Sequence, residues 1–357
     1  MSKNNPYLNT RVEFHILQSF PVSCLNRDDV GAPKSAMIGG VQRARVSSQC
    51  WKRAIRMAMH DLGIEIAMRT RYVTSVLADA CAALGATPEA ALACGEAVAK
   101  TLTKTVKDGQ SDTLFYISQA EATAIAEFYC ENAFDAKADL KPVLKSLKVN
   151  TDRDGVDIAL FGRMAASAPE VNVEAAASFA HAISTHQVAA EIEFFTAVDD
   201  RNPKEETGSA HMGSLEFNSA IYYRYISVDL GKLYENLNGP EDMSVGIDAF
   251  VKALYGAVPE ARQTTMAAAT PWDYAKIFVR KGHRFQVSFE DPSKAGRGET
   301  LLEASKNDLR KQLERIEKLS GSLFGKISEY EFGESLDFSI DDLAHALNAD
   351  IQKIAKP

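Results

Sequence analysis

From Val12 to Phe20 apolar and polar residues first alternate, Val12-Glu13-Phe14-His15-Ile16, at the two-residue period of a half-buried strand. Pro21 is its expected end. A polar loop follows, Ser23-Cys24-Leu25-Asn26-Arg27-Asp28-Asp29, and then Ile38-Gly39-Gly40. The arginines of Arg43-Ala44-Arg45 alternate at strand or loop spacing. Ser47 or Ser48 then offers an N-cap for a helix running from about Ser48 to Leu62, with Gly63 as its stop. From about Ile64 to Val149 the chain is Ala-rich. Helical periodicity over Ala78 to Leu84, Glu89 to Leu102 and Ala120 to Asn132 predicts an all-helical insertion there. Gly155 to Ala165 leads back, with Gly162 suited to a positive-φ turn or a close backbone approach. Val173 to His186 reads as a helix. Ala190 to Asp199 and Leu215 to Val228 read as strands rich in Phe, Ile and Tyr. The polar, turn-rich Asp199 to Gly213 between them predicts a long, mobile hairpin tip. A helix over Met243 to Tyr255 follows, then a strand pair, Tyr274 to Val279 with Arg284 to Phe289, around Lys281-Gly282. Helices over Glu299 to Leu319 and Ile340 to Ile354 close the chain. Strands interleaved with helices around a helical insertion predict an α+β fold.

Charge changes this picture locally. The chain has 357 residues and a formal net charge of -8. Yet Val30 to His60 carries Lys34, Arg43, Arg45, Lys52, Arg53 and Arg56 and no carboxylate. Lys52 and Arg56, four apart, share one helix face. Serine hydroxyls, free N–H groups at a helix start and a file of Lys and Arg make a phosphate-binding surface. The plainer alternative is a solvated basic helix face. Acidity elsewhere argues mildly against a freely roaming nucleic-acid binder, but not against a subunit that holds nucleic acid in one groove.

The remaining composition narrows the class. A hydrophobic content of 46% and a charged content of 25% are ordinary for a globular protein. No long apolar run predicts a membrane span, and the first residues lack the apolar stretch of a secretory signal. Cys24, Cys50, Cys81, Cys94 and Cys130 are odd in number and widely spaced, which fits a reducing cytoplasm better than a disulfide framework or zinc ribbon.

Few residues suggest catalysis. G-x-S-x-G, a P-loop, a dinucleotide fingerprint and C-x-x-C are all absent. His181, His186, Asp199, Asp200 and His211 could be assembled into a metal site on paper. The two histidines are five apart, so on a helix they would diverge by about 140°. His181 reads better as a core or interface residue, and Asp199-Asp200 as turn caps. No metal or cofactor is expected. Lys141, Lys145 and Lys148, with Lys137 before them, would line a helix face that Pro142 opens. This is either a solvated face or a second phosphate-binding row. Arg163 adjoins Met164, so a charge able to meet a phosphate sits beside a flexible apolar side chain. Met164 and Met212 are candidates for wedging between bases, although most methionines are simply core.

Nine motifs then run in order over about the first 230 residues. They are Ser23 to Asp29, Ile38-Gly39-Gly40, Arg45 to Gln49 with Lys52-Arg53-Ala54, Gly155 to Leu160, Gly162 to Ala165, Ala180 to Ile183, Thr185 to Val188, Phe195 to Asp200 and Gly208 to His211. Together they resemble the CasC family, the backbone subunit of the type I-E CRISPR Cascade surveillance complex. The resemblance implies an RRM-like (ferredoxin-like) palm at 1–63 and 151–357, helical fingers at 64–150 and a hairpin thumb at about 191–221. It implies copies polymerised head to tail along the guide RNA (crRNA), presenting it to target DNA alongside other Cascade subunits, without catalysis. Lys52, Arg53 and Arg56 match the family's phosphate-gripping helix, Ser47 and Gln49 its start, and Arg27 its charged loop. Met164 matches an intercalating methionine and Met212 an apolar thumb position. Lys137, Lys141 and Lys145 resemble a row touching DNA. The alternative is a metal-dependent ribonuclease using Asp199 or Asp200, because related backbone subunits of other CRISPR types cut RNA with a thumb acid.

Overall fold

The computed structural model describes residues 5–103, 105–147, 155–165, 167–197, 211–237 and 239–356. The chain begins with β1 (Thr10–Ser23), the hairpin β2 (Ser35–Ile38) and β3 (Val41–Val46), and helix α1 (Ser48–Asp61). The next body holds β4 (Met68–Thr70), α2 (Val73–Ala83), α3 (Pro88–Leu102), β5 (Val106–Lys107), β6 (Gln110–Ser111), β7 (Phe115–Ile117), α4 (Gln119–Glu131) and α5 (Lys141–Ser146). Then come α6 (Val156–Phe161), β8 (Ala177–Phe179), β9 (Ala182–Ser184), β10 (Glu191–Ala197), β11 (His211–Asp229), α7 (Leu230–Asn236), α8 (Pro240–Gly256) and α9 (Gln263–Met266). Last are β12 (Tyr274–Lys281), α10 (Leu301–Ser320), β13 (Lys326–Phe332) and α11 (Ile340–Ala355). The fold is α+β, as expected.

The antiparallel sheet runs β13-β12-β1-β11-β9-β3-β2, with β8 and β10 also paired to β11. Its two faces follow from the period of two. Val12, Phe14 and Ile16 point one way, onto Ile55 of α1, Phe250 of α8 and Leu347 of α11. Leu17, Tyr223, Tyr274 and Phe278 point the other way, under Phe289, Leu309, Leu313 and Phe324. A further core, from Val73 to Val171, sits between α2, α3, α4 and α5.

Several expectations need correction. Pro21 does not end β1; the strand continues to Ser23 across a register shift between Phe20 and Ser23, where an exposed proline costs no ladder bond. The insertion is not all helical, because β4 pairs with β7 and β5 with β6. Val173 to His186 is not a helix but holds β8 and β9. Ala-rich composition favours helix, but the long β11 presents an edge whose backbone groups need partners, and pairing there overrides propensity. Arg284 to Phe289 is not a strand either. β13 occupies that edge of β12, so 284–289 crosses the sheet without joining its ladder. Its donors go to side chains instead: Phe285 N–H to Glu13 Oε1 at 3.0 Å and Val287 N–H to the Tyr223 hydroxyl at 3.2 Å. The hairpin tip expected at 199–213 falls mostly outside the described residues.

Candidate nucleic-acid interface

Helix α1 starts as its sequence dictates. Ser47 takes the extended backbone of an N-cap and accepts from Cys50 N–H at 3.3 Å, while Gly63 (φ +85°) follows its end. Trp51, Ala54, Ile55 and Met59 are buried, which turns Gln49 and Arg53 to solvent and leaves Lys52 half-buried at the rim. Asn26 Oδ1 accepts from Ser47 N–H at 2.9 Å, so the loop carrying exposed Arg27 is tied to the helix start.

His181, between β8 and β9, completes this end of the helix. Its Nδ1 lies 3.3 Å from Ser48 N and 3.4 Å from Arg45 Nη1. A backbone N–H and a guanidinium can only donate, so Nδ1 accepts, and the neutral ring carries its proton on Nε2. Burial, and then the charges of Arg45 and Lys34, hold the His181 pKa below its ordinary value. The Lys52 ammonium lies 5.5 Å from the centroid of the Phe179 ring, and burial lowers its pKa. Among the described residues Arg53 pairs with the exposed Glu260 at 3.6 Å, a contact too weak to withhold it from an anion. The structure therefore brings Arg27, Arg45, Gln49, Lys52 and Arg53 to the start of α1, with Lys34 and His181 added, while Ser47 is buried with its hydroxyl capping the helix. His181 was legible only as a histidine of unknown purpose, because its place depends on β8 and β9 being strands.

Three basic residues expected at this surface belong to the interior. Arg43 is 0% exposed; it donates to Ser184 O at 2.6 Å and Phe289 O at 2.8 Å. Arg163 is buried and donates to Glu121 at 2.7 Å, Val171 O at 3.0 Å and Tyr116 O at 3.1 Å. Arg56 is mostly covered, pairs with buried Asp157 at 2.6 Å, bonds Ala67 O and stacks 5.2 Å from the Tyr116 ring centroid. Each guanidinium is committed to pinning one segment on another, so none is free to grip a phosphate. Arg43 has a consequence for the surface all the same. It holds 289–290 against the β2–β3 turn, where any Cβ at Gly39 would meet Glu290 O. Ser293 N–H then bonds Thr185 O at 2.8 Å, and the exposed Lys294 and Arg297 come next. The sequence pattern did not single out these two, whose segment is held by Arg43 reaching Phe289, 246 residues further along the chain.

Gly162, at φ +78°, packs so closely on Ala175 that a Cβ would lie 2.9 Å from its nitrogen. The turn leaves Met164 85% exposed beside buried Arg163, an unusual setting for a methionine. Met212 stands opposite Thr196 in the β10–β11 ladder; its side chain lies outside the described residues. On β10, Ile192 and Phe194 are exposed, a feature the strand pattern did not single out. Lys137, Lys141 and Lys145 are exposed around α5, whose first two residues are Lys141 and Pro142; Lys148 lies outside the described residues. Among the described residues no group of three or more His, Cys, Asp and Glu is placed to hold a metal; Asp199 and Asp200 are not among them. His186 sits apart from His181, accepting from Ile221 N–H at 3.2 Å.

Fold and surface together define an α+β protein with a cationic face built on the start of one helix. The chain belongs to the CT1975-like protein family, whose sequence profile matches residues 12–333. It is similar to a chain of a solved "CRISPR RNA-guided surveillance complex, pre-nicking", with a TM-score of 0.81 and 29% identity, covering 96% of this chain and 100% of that one. It is also similar to a chain of a second "CRISPR RNA-guided surveillance complex", with a TM-score of 0.70 and 25% identity, covering 95% and 99%. No curated protein matches the chain significantly.

Proposed function

We propose that this chain is a guide-RNA-binding backbone subunit of a CRISPR surveillance complex, of the CasC kind. In this reading the sheet and its helices form an RRM-like palm, the body from β4 to α5 forms fingers and the β10–β11 hairpin forms a thumb. Copies stack head to tail along the crRNA in the cytoplasm and present it to target DNA beside other subunits. The observation that carries the reading is the start of α1, where Ser47 caps the helix, His181 Nδ1 accepts from Ser48 N–H and Arg45, and Lys52 sits over Phe179. Family membership and likeness to surveillance-complex chains support it. A subunit that must hold any guide cannot read bases. Its contacts should go to phosphate and sugar, for which hydroxyls, backbone N–H groups and point charges suffice. The exposed Met164 suits a wedge between neighbouring bases.

The scaffold is non-catalytic in this reading. Purified from its host, the protein should carry an absorbance excess at 260 nm that ribonuclease removes, and the extracted RNA should be of defined length. With divalent metal added, that RNA should stay intact. A nucleic-acid-free particle would overturn the proposal, and metal-dependent fragments at regular spacing would replace the scaffold by a ribonuclease.

A further inference from the structure

A cavity of about 280 Å³ opens where β8, the end of β11 and the chain just after β12 meet. Arg11, Ser178, Ser227, Lys232, His283 and Arg284 line it. Two carboxylates also reach it, and both are paired: Asp229 with Arg11 at 3.5 Å, and Glu174 at 3.0 Å with Lys232, a cation that Glu235 shares at 3.2 Å. His283 and Arg284 are exposed and have no carboxylate partner among the described residues. Two buried groups at the cavity, Arg11 Nε and Ser227 Oγ, find no hydrogen bond of good geometry within the protein. The lining is thus rich in donors, and the Arg284 guanidinium is its cation without a carboxylate among the described residues. Such a lining is complementary to an oxyanion.

The position of the cavity says which oxyanion. Ala175 in its wall touches Gly162, the turn that leaves Met164 exposed. Ser178, also in the wall, directly precedes Phe179, over which the Lys52 ammonium sits at 5.5 Å. The cavity is therefore bordered by the two segments that carry Met164 and the partner of Lys52, with the thin strand β8 between it and α1.

We propose that this cavity is a second phosphate subsite, taking a backbone phosphate of the same RNA strand that crosses the start of α1. The inference rests on the guide-RNA reading above and extends it across the sheet edge. A carboxylate of a neighbouring protein subunit fits the lining less well, because nothing in it selects a carboxylate, whereas its borders are shared with the proposed RNA surface.

The test uses the full-length chain and labelled oligoribonucleotides of two unrelated sequences. His283→Ala with Arg284→Ala should weaken both by about the same 5- to 10-fold factor. It should also make the log affinity against log salt slope shallower by about 0.7 for each phosphate that is no longer neutralised. Both side chains are exposed, so the thermal midpoint should hold; if the double variant fails to fold, Arg284→Glu alone repeats the test. Lys52→Ala runs alongside. If Lys52→Ala weakens binding and the cavity variants do not, the subsite is refuted and the backbone reading stands. If neither changes affinity or slope, the backbone reading itself fails. Wild-type RNA binding combined with failure to assemble onto partner subunits would assign the cavity to a protein carboxylate and overturn the phosphate claim.

Discussion

What a basic residue does here depends on where its charged group ends. In β3, Arg43 and Arg45 share a face by the strand period, yet 289–290 covers one and leaves the other at the rim. That covering segment lies far along the sequence, so no local pattern separates the two. Arg43→Met would leave Ser184 O and Phe289 O buried without donors and should lower stability by about 3 kcal/mol, read as a shifted urea midpoint. Its salt slope for RNA binding should not change. Lys52→Ala should do the reverse, shifting stability by less than about 0.5 kcal/mol while flattening the slope by about 0.7. A single variant that moved both quantities would show that the division between interior and surface is misdrawn. His15 gives a residue-scale prediction in pH. Burial first, and then the charge of Arg280, hold its pKa at about 3 against an ordinary 6.5. The unfolded chain takes up a proton near 6.5 and the folded chain does not, so this contribution is complete above 6.5 and is lost as the pH falls toward 3. At pH 5 the loss should be about 2 kcal/mol. Urea midpoints at pH 7 and 5 should converge for His15→Gln relative to the wild type; an equal drop in both would assign the acid sensitivity elsewhere.

At the scale of elements, α1 was legible because everything that shapes it is local: a serine cap, one apolar stripe and a glycine after its end. The start of a helix has two separable properties, a cap that stabilises it and a field that attracts anions. Ser47→Asp should divide them. Aspartate caps as well as serine, so the unfolding free energy should stay within about 0.5 kcal/mol of the wild type. Its carboxylate would stand where a phosphate is expected, and RNA affinity should fall by about tenfold or more at low salt. Intact binding by Ser47→Asp would remove the helix start from the RNA path. The misread elements fail for one shared reason. Val173 to His186 and Arg284 to Phe289 take their form from β11 and β13, which lie far from them in sequence. The Ala-rich stretch would be a fair helix in isolation, and the alternating Phe285-Gln286-Val287-Ser288-Phe289 a fair strand. In the fold one finds an open sheet edge and the other finds its edge already occupied. The site lost most by this error, since the place of His181 depends on the first of these segments.

Over the whole molecule, a net charge of -8 coexists with two exposed cationic faces, which makes each face a local device. The faces rest on different cores. α1 packs on the sheet through Trp51 and Ile55, while Val143 and Leu144 anchor α5 in the core that runs from Val73 to Val171. The helical content of that second body was visible in its Ala-rich periodicity. Its attachment to the sheet was not, because it runs through Arg56, which bonds Ala67 O and stacks on Tyr116, and through Arg163, which bonds Glu121 and Tyr116 O, and arginines buried this way resemble surface ones in a sequence. Two faces on two bodies suit two polyanions held apart, the guide on α1 and the incoming DNA on Lys137, Lys141 and Lys145. If so, the second face can be reversed in sign without disturbing the first. RNA-loaded protein carrying Lys141→Glu with Lys145→Glu should keep its wild-type ratio of absorbance at 260 to 280 nm and its unfolding midpoint. Its affinity for DNA complementary to the guide should drop by about tenfold at low salt, with the deficit shrinking as salt screens the added charge. Loss of RNA together with DNA would mean the lysines serve the guide. Unchanged DNA capture would mean that the α5 face is a solvated surface and that target DNA enters over other residues.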